Sequence, residues 1–114
     1  MGNSGNGLRI RLRRFVDEHP HGWRHQEWLE LLAELTDEGV DTSDPDRIGS
    51  VLERERVAAV LEEMPVRGLG PKRRQALIDR FGSVWDLSHA SADEIAALPS
   101  FHRKLAEALV GALR

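Results

Sequence analysis

Val66-Arg67-Gly68-Leu69-Gly70-Pro71-Lys72-Arg73-Arg74-Gln75-Ala76-Leu77 sets one apolar residue between two glycines, follows it at once with a proline, and then brings three cations. Without a Cβ, Gly68 and Gly70 can take positive φ and leave the backbone amides of a turn uncovered, while Leu69 can plug the gap between two helices. Pro71 suits the first position of a helix, where its missing N–H is no loss. The helix it opens sends unpaired N–H groups and a positive dipole end out of the turn. Such amides form an anion site suited to a phosphate oxygen. Lys72, with Arg73 or Arg74, adds charge to a contact that the backbone already shapes. Taken singly, the triplet also suits a plain turn and the cations a solvated face; together they point to an anion.

Outward from this stretch the chain repeats itself. A shift of 32 residues sets Val66-Arg67-Gly68-Leu69-Gly70 over Leu98-Pro99-Ser100-Phe101-His102. It also sets Lys72 on Lys104, Ala76 on Ala108, Leu77 on Leu109, Ile78 on Val110 and Phe81 on Leu113. The apolar matches recur at the spacing of one buried helix face, as two copies of one supersecondary unit would share. Each unit reads as a helix, a tight turn and a second helix.

The quoted stretch resembles the hairpin of helix-hairpin-helix proteins. With the continuation Phe81-Gly82-Ser83-Val84-Trp85-Asp86-Leu87 and Ala90-Ser91-Ala92-Asp93-Glu94-Ile95-Ala96-Ala97-Leu98-Pro99, it is similar to the double helix-hairpin-helix domain that closes members of the excinuclease C family and related repair nucleases. The resemblance implies binding of DNA through backbone phosphates without base readout. It carries the family's phosphate contacts to the amides around Gly68, Leu69, Gly70 and Lys72, with Lys72, Arg73 and Arg74 beside them. The second unit departs from the pattern, because Ser100 and His102 stand where glycines would be; they make the turn harder to adopt and cover its amides. There His102, Arg103 and Lys104 are the candidate contacts, or the unit serves only as packing.

Before about residue 45 the resemblance ends. Leu8, Leu12, Phe15 and Val16 lie at helical spacing, and a second helix is predicted from Trp23 to about Glu38, stopped by Gly39. Thr42 to Asp44 before Pro45 signals a third start, and that helix runs to about Met64 with apolar residues around most of its circumference. Leu8, Ile10 and Leu12 alternating with arginines would also suit a strand, though helix is favoured there; no strand-rich segment or β-hairpin signal appears, so the fold class is all-α, with N-terminal helices packed on the tandem unit. The organisation expected is a disordered tail at 1–7, a helical extension at 8–44 and the double helix-hairpin-helix domain at 45–114.

Net charge is -3 over 114 residues, but it is divided. Residues 66–114 hold eight Lys/Arg and five acids, a net of +3, whereas residues 15–65 come to -10. The basic half is where an anionic partner belongs. Arg9, Arg11, Arg13 and Arg14 could extend that surface, but pairing with the acidic middle is the favoured reading. The absence of cysteine excludes thiolate zinc sites and thiol catalysis. The polar start is unlike a signal peptide and no segment nears the roughly 20 apolar residues of a membrane span, so a cytoplasmic location is expected.

Other motifs carry less. His19, His21 and His25 invite a metal but fit no standard spacing, and Asp44, Asp46, Gly49 and Glu55 match a calcium loop that Pro45 and Ile48 interrupt. Trp23, Trp28 and Trp85 are assigned to packing. No nucleotide-binding loop, nucleophile elbow or distinct carboxylate pair is present, so neither catalysis nor a cofactor is expected. The leading function, as the resemblance implies, is sequence-independent DNA binding, with preference for junctions or single-strand boundaries, in repair or recombination and alongside a nuclease or other repair protein. The alternative is a protein-interaction module that dimerises or docks a nuclease, for which Phe101, if exposed between Ser100 and His102, would be the anchor.

Overall fold

The computed structural model describes residues 4–113, with the side chains of 7–113. Among these residues there are seven helices and no strand: α1 (Ser4–Glu18), α2 (His25–Asp37), α3 (Pro45–Glu62), α4 (Pro71–Phe81), α5 (Val84–Ser88), α6 (Ala92–Ala96) and α7 (Arg103–Leu113). The all-α class read from the sequence is the class of the fold. The chain divides into two compact units, one up to Glu55 and one from Arg56 onward. That division falls inside α3, eleven residues beyond the boundary read from the sequence. A cap and a proline mark where a helix starts, whereas packing decides where along that helix one core ends and another begins.

In the first unit, α1 buries Leu12, Phe15 and Val16, α2 buries Leu31 and Leu35, and the start of α3 buries Ile48 and Leu52. Each side chain of this size stabilises the fold by roughly 1.5–3 kcal/mol on leaving water. Helix α1 starts at Ser4 rather than Leu8, so 4–7 of the expected tail are helical, and 1–3 lie outside the described residues. A helix nucleated further along extends by one hydrogen bond per residue fixed, even through Gly5 and Gly7. Helix α2 starts two residues later than predicted, since Arg24 is extended and its N–H donates to Glu27 Oε1 at 2.8 Å. Asp44 Oδ1 accepts from the Arg47 N–H at 3.3 Å, the cap anticipated before Pro45.

In the second unit, one core gathers Val57 and Leu61 from the end of α3, Leu77 and Phe81 from α4, Leu87 and Ala90 around α5, Ile95 from α6, and Ala106 and Leu109 from α7. The repeat is visible in this core. Leu77 and its match Leu109 are both fully buried, and Ile78 and Val110 both line the core at partial exposure. The short helices are held by serines: Ser83 Oγ accepts from the Asp86 N–H, while Ser91 Oγ accepts from the Glu94 N–H at 3.1 Å as Glu94 Oε1 accepts from the Ser91 N–H at 2.9 Å.

Candidate functional site

The first hairpin is the turn between α3 and α4. Gly68 sits at φ +91°, a conformation open to glycine at little cost, and the Leu69 N–H donates to the Val66 carbonyl at 3.4 Å. Leu69 packs against the core, as its position between the glycines suggests. Gly70 differs from the sequence reading. Its φ of -79° is open to any residue, so it supplies no special turn; it is the N-cap of α4 and contributes the absence of a side chain. A Cβ there would meet nothing within 4 Å. Pro71 brings no N–H and Gly70 no capping atom, which leaves the Lys72 and Arg73 amides of the first turn open to an outside acceptor. Among the described residues, the Gly68 and Gly70 N–H groups have no hydrogen-bond partner either.

The second hairpin adopts the same turn in spite of its sequence. Ser100, the match of Gly68, stands at φ +69°, and the Phe101 N–H donates to the Leu98 carbonyl at 3.2 Å where Leu69 donates to Val66. The Ala106 N–H donates to the His102 carbonyl as Arg74 does to Gly70, both at 3.0 Å. The expected obstacle to the turn is thus overcome, because the packed core on both sides over-determines it. What changes is the amides: His102 Nδ1 accepts the Leu105 N–H at 3.2 Å, so a first-turn donor of α7 is already taken.

The candidate cations divide by what they hold. Lys72 and Arg74 on α4 and Lys104 on α7 meet no carboxylate among the described residues. Arg73, grouped with them in the sequence, is committed: its Nε donates to the Ser100 carbonyl at 2.8 Å and its Nη1 to the Gly68 carbonyl at 2.6 Å. Arg103 is paired too, with Glu107 at 3.0 Å and with Asp93, and these carboxylates raise its pKa further, the Glu107 hydrogen bond foremost. A surface depression brings Val66, Gly68, Leu69, Gly70, Pro71, Lys72 and Arg73 together with Ser100 of the other hairpin. Residues 58–114, which contain both hairpins, match the model of the SAM-like helix-hairpin-helix tandem.

The chain belongs to this tandem helix-hairpin-helix family.

Relatives agree. The chain is similar to the UvrABC system protein C of Ectopseudomonas mendocina, 48% identical over 58 residues, which are 51% of this chain and 9% of the relative. To the protein of the same name from Corynebacterium jeikeium it is 51% identical over 53 residues, 46% of this chain and 7% of the relative. With that of Streptomyces griseus it shares 39% identity over 93 residues, 79% of this chain and 12% of the relative. A match covering 79% of the chain takes in sequence before residue 45, so similarity extends beyond the two hairpin units. The chain spans about a tenth of the length of these relatives. No solved structure matches it significantly.

Around the helix-hairpin-helix tandem, the remaining candidates find their places. Phe101, the expected anchor for a partner, is half-buried and packs against the core, as does its match Leu69. Trp85, expected in packing, is 67% exposed and stacks on His89 with ring centroids 4.0 Å apart. Five-residue α5 has one fully inward position, and Leu87 holds it. Trp23 packs edge-on to Phe15, and Trp28 lies over Gly49, where a Cβ would sit 3.8 Å from its indole. Arg9 pairs with Glu55, Arg11 with Glu34 and Glu38, and Arg13 with Asp17, while Arg14 meets no carboxylate among the described residues. His19 uses Nδ1 on the Phe15 carbonyl and Nε2 on Glu27, a structural role. Among the described residues, no helix is long and apolar enough to cross a membrane.

Proposed function

We propose that this chain holds the sugar-phosphate backbone of DNA without reading its base sequence. The observation that carries this reading is the first hairpin, where the amides of Gly68, Gly70, Lys72 and Arg73, in the turn and first turn of α4, have no partner among the described residues, beside Lys72, which meets no carboxylate among them. Fixed N–H groups and a helix dipole favour a phosphate oxygen over a base edge, because every nucleotide offers the same oxygen. The first hairpin is the main grip. The second contributes Lys104 and the His102 side chain, with its helix N-terminus half closed by that imidazole. The tandem arrangement and the kinship with UvrABC system protein C support a role in DNA repair, in the cytoplasm and alongside a nuclease or other repair protein. A preference for junctions or single-strand boundaries suits a site that binds backbone alone.

Fluorescence anisotropy of labelled single-stranded, duplex and junction DNA at about 50 mM and 200 mM salt tests this, since phosphate contacts weaken steeply over that range. Lys72→Ala is expected to weaken binding equally for unrelated sequences and to lower the salt slope by about one unit. Absence of binding at the lower salt would refute the proposal.

A further inference from the structure

One guanidinium touches both hairpins at matching points. Gly68 and Ser100 are equivalent in the 32-residue repeat, both stand at positive φ, and the carbonyls of both accept from Arg73, at 2.6 Å and 2.8 Å. The residue equivalent to Arg73 in the second unit is Leu105, which is buried, and its methyl group lies 3.9 Å from where a Gly68 Cβ would be. Arg73 and Leu105 thus both lie against the Gly68 turn, and of the two only Arg73 carries donors, which reach a carbonyl of each turn.

We propose that Arg73 is a positioning residue that fixes the spacing of the two hairpins, so that both meet one DNA backbone surface together; its consequence for binding rests on the DNA-holding function above. The chemistry suits this task. A guanidinium is planar, and its donors leave in fixed directions, so two simultaneous bonds set an angle as well as a distance. Its partners are neutral carbonyls and not carboxylates, so its positive charge stays uncompensated between the turns and adds to the field felt by a phosphate at either one. Arg73 thus differs from Lys72 and Lys104, which have no hydrogen-bond or ion-pair partner among the described residues and stand at one hairpin each. A lysine in its place would supply a point charge on a flexible stem, without the fork.

The chain has no cysteine, so labels can be placed at will. Nitroxides on Arg67→Cys and Pro99→Cys, equivalent exposed positions of the two turns, report hairpin spacing by pulsed electron resonance without DNA. With Arg73 intact, one narrow distance is expected. In Arg73→Ala and Arg73→Lys the distribution broadens while far-ultraviolet dichroism is unchanged. If Arg73→Ala does not fold, Arg73→Lys alone decides. A distribution that stays narrow overturns the proposal, because the core alone would then hold the spacing.

Binding supplies the second arm. Lys104→Ala weakens DNA binding severalfold when Arg73 is present and has little further effect in the Arg73→Lys background, since a hairpin out of register has no contact to lose. Equal effects of Lys104→Ala in both backgrounds would make the hairpins independent and overturn the positioning role. If the unaltered protein binds no DNA at all, the functional reading fails, and the spacing measurement still tests the clamp by itself.

Discussion

Replacing Ser100 by glycine should make this protein more stable, although it removes a side chain from a structured turn. Ser100 stands at φ +69°, and its hydroxyl makes no hydrogen bond among the described residues, so the substitution loses no side-chain partner. A left-handed conformation costs an L-residue roughly 1–2 kcal/mol. Glycine relieves this, but its greater freedom in the unfolded chain returns about 0.4–1 kcal/mol. The net expected gain is about 0.5–1 kcal/mol, which for a domain near 100 residues raises Tm by a few degrees, about 2–6 °C. Urea unfolding followed by circular dichroism, with a thermal scan beside it, reads this directly. The reciprocal change Gly68→Ser, placed at φ +91°, should lose about 0.5–1 kcal/mol, the same difference with its sign reversed. If Ser100→Gly left the urea midpoint unchanged or lowered it, the equivalence of the two turns and the strain assigned to Ser100 would both be wrong.

Gly70→Ala separates binding from stability: φ -79° and open space accept the methyl group, so stability changes by less than about 1 kcal/mol, the lost N-cap preference offsetting the gain in backbone entropy. Anisotropy should nevertheless show DNA affinity falling about tenfold, as the methyl group covers the amides and removes one charge-assisted hydrogen bond. Leu77→Ala, at a fully buried position of the second core, should cost about 2–5 kcal/mol in urea unfolding. Acid should weaken the fold in a defined direction. The backbone N–H of Arg24 holds the Glu27 carboxyl below its ordinary value of 4.5, and that of Ser91 does the same for Glu94. A depressed folded pKa contributes stability above 4.5 that is lost as pH falls through the folded value. Urea midpoints taken down to about pH 3 should therefore decline, and less so in Glu27→Gln with Glu94→Gln.

Much of the fold is legible in the sequence because its signals are local. Pro71 and Asp44-Pro45 announce helix starts, and the 32-residue shift aligns α4 and α7 residue for residue, both eleven long. The first hairpin is legible for the same reason, since glycines, proline and lysine act within six residues of one another. Less local features escape such a reading. Trp85 has the composition of a core residue, but which side of a single-turn helix faces inward depends on what packs there. Arg73, Arg74 and Lys72 are three adjacent cations in the sequence, and only Arg73 turns toward carbonyls 5 and 27 residues away. For Ser100 a signal existed, because its alignment under Gly68 implies the same backbone angle.

The sequence by itself determined the all-α class, the starts of α3 and α4, the duplication and the open amides of the first turn, since each depends on backbone preferences and on spacing that the chain carries locally. Tertiary structure decided that Ser100 accepts a left-handed angle, that His102 closes part of the second site and that Arg73 joins the two turns. Those outcomes depend on groups far apart in the chain, and on a packed core whose cohesion outweighs the local preference of a single residue.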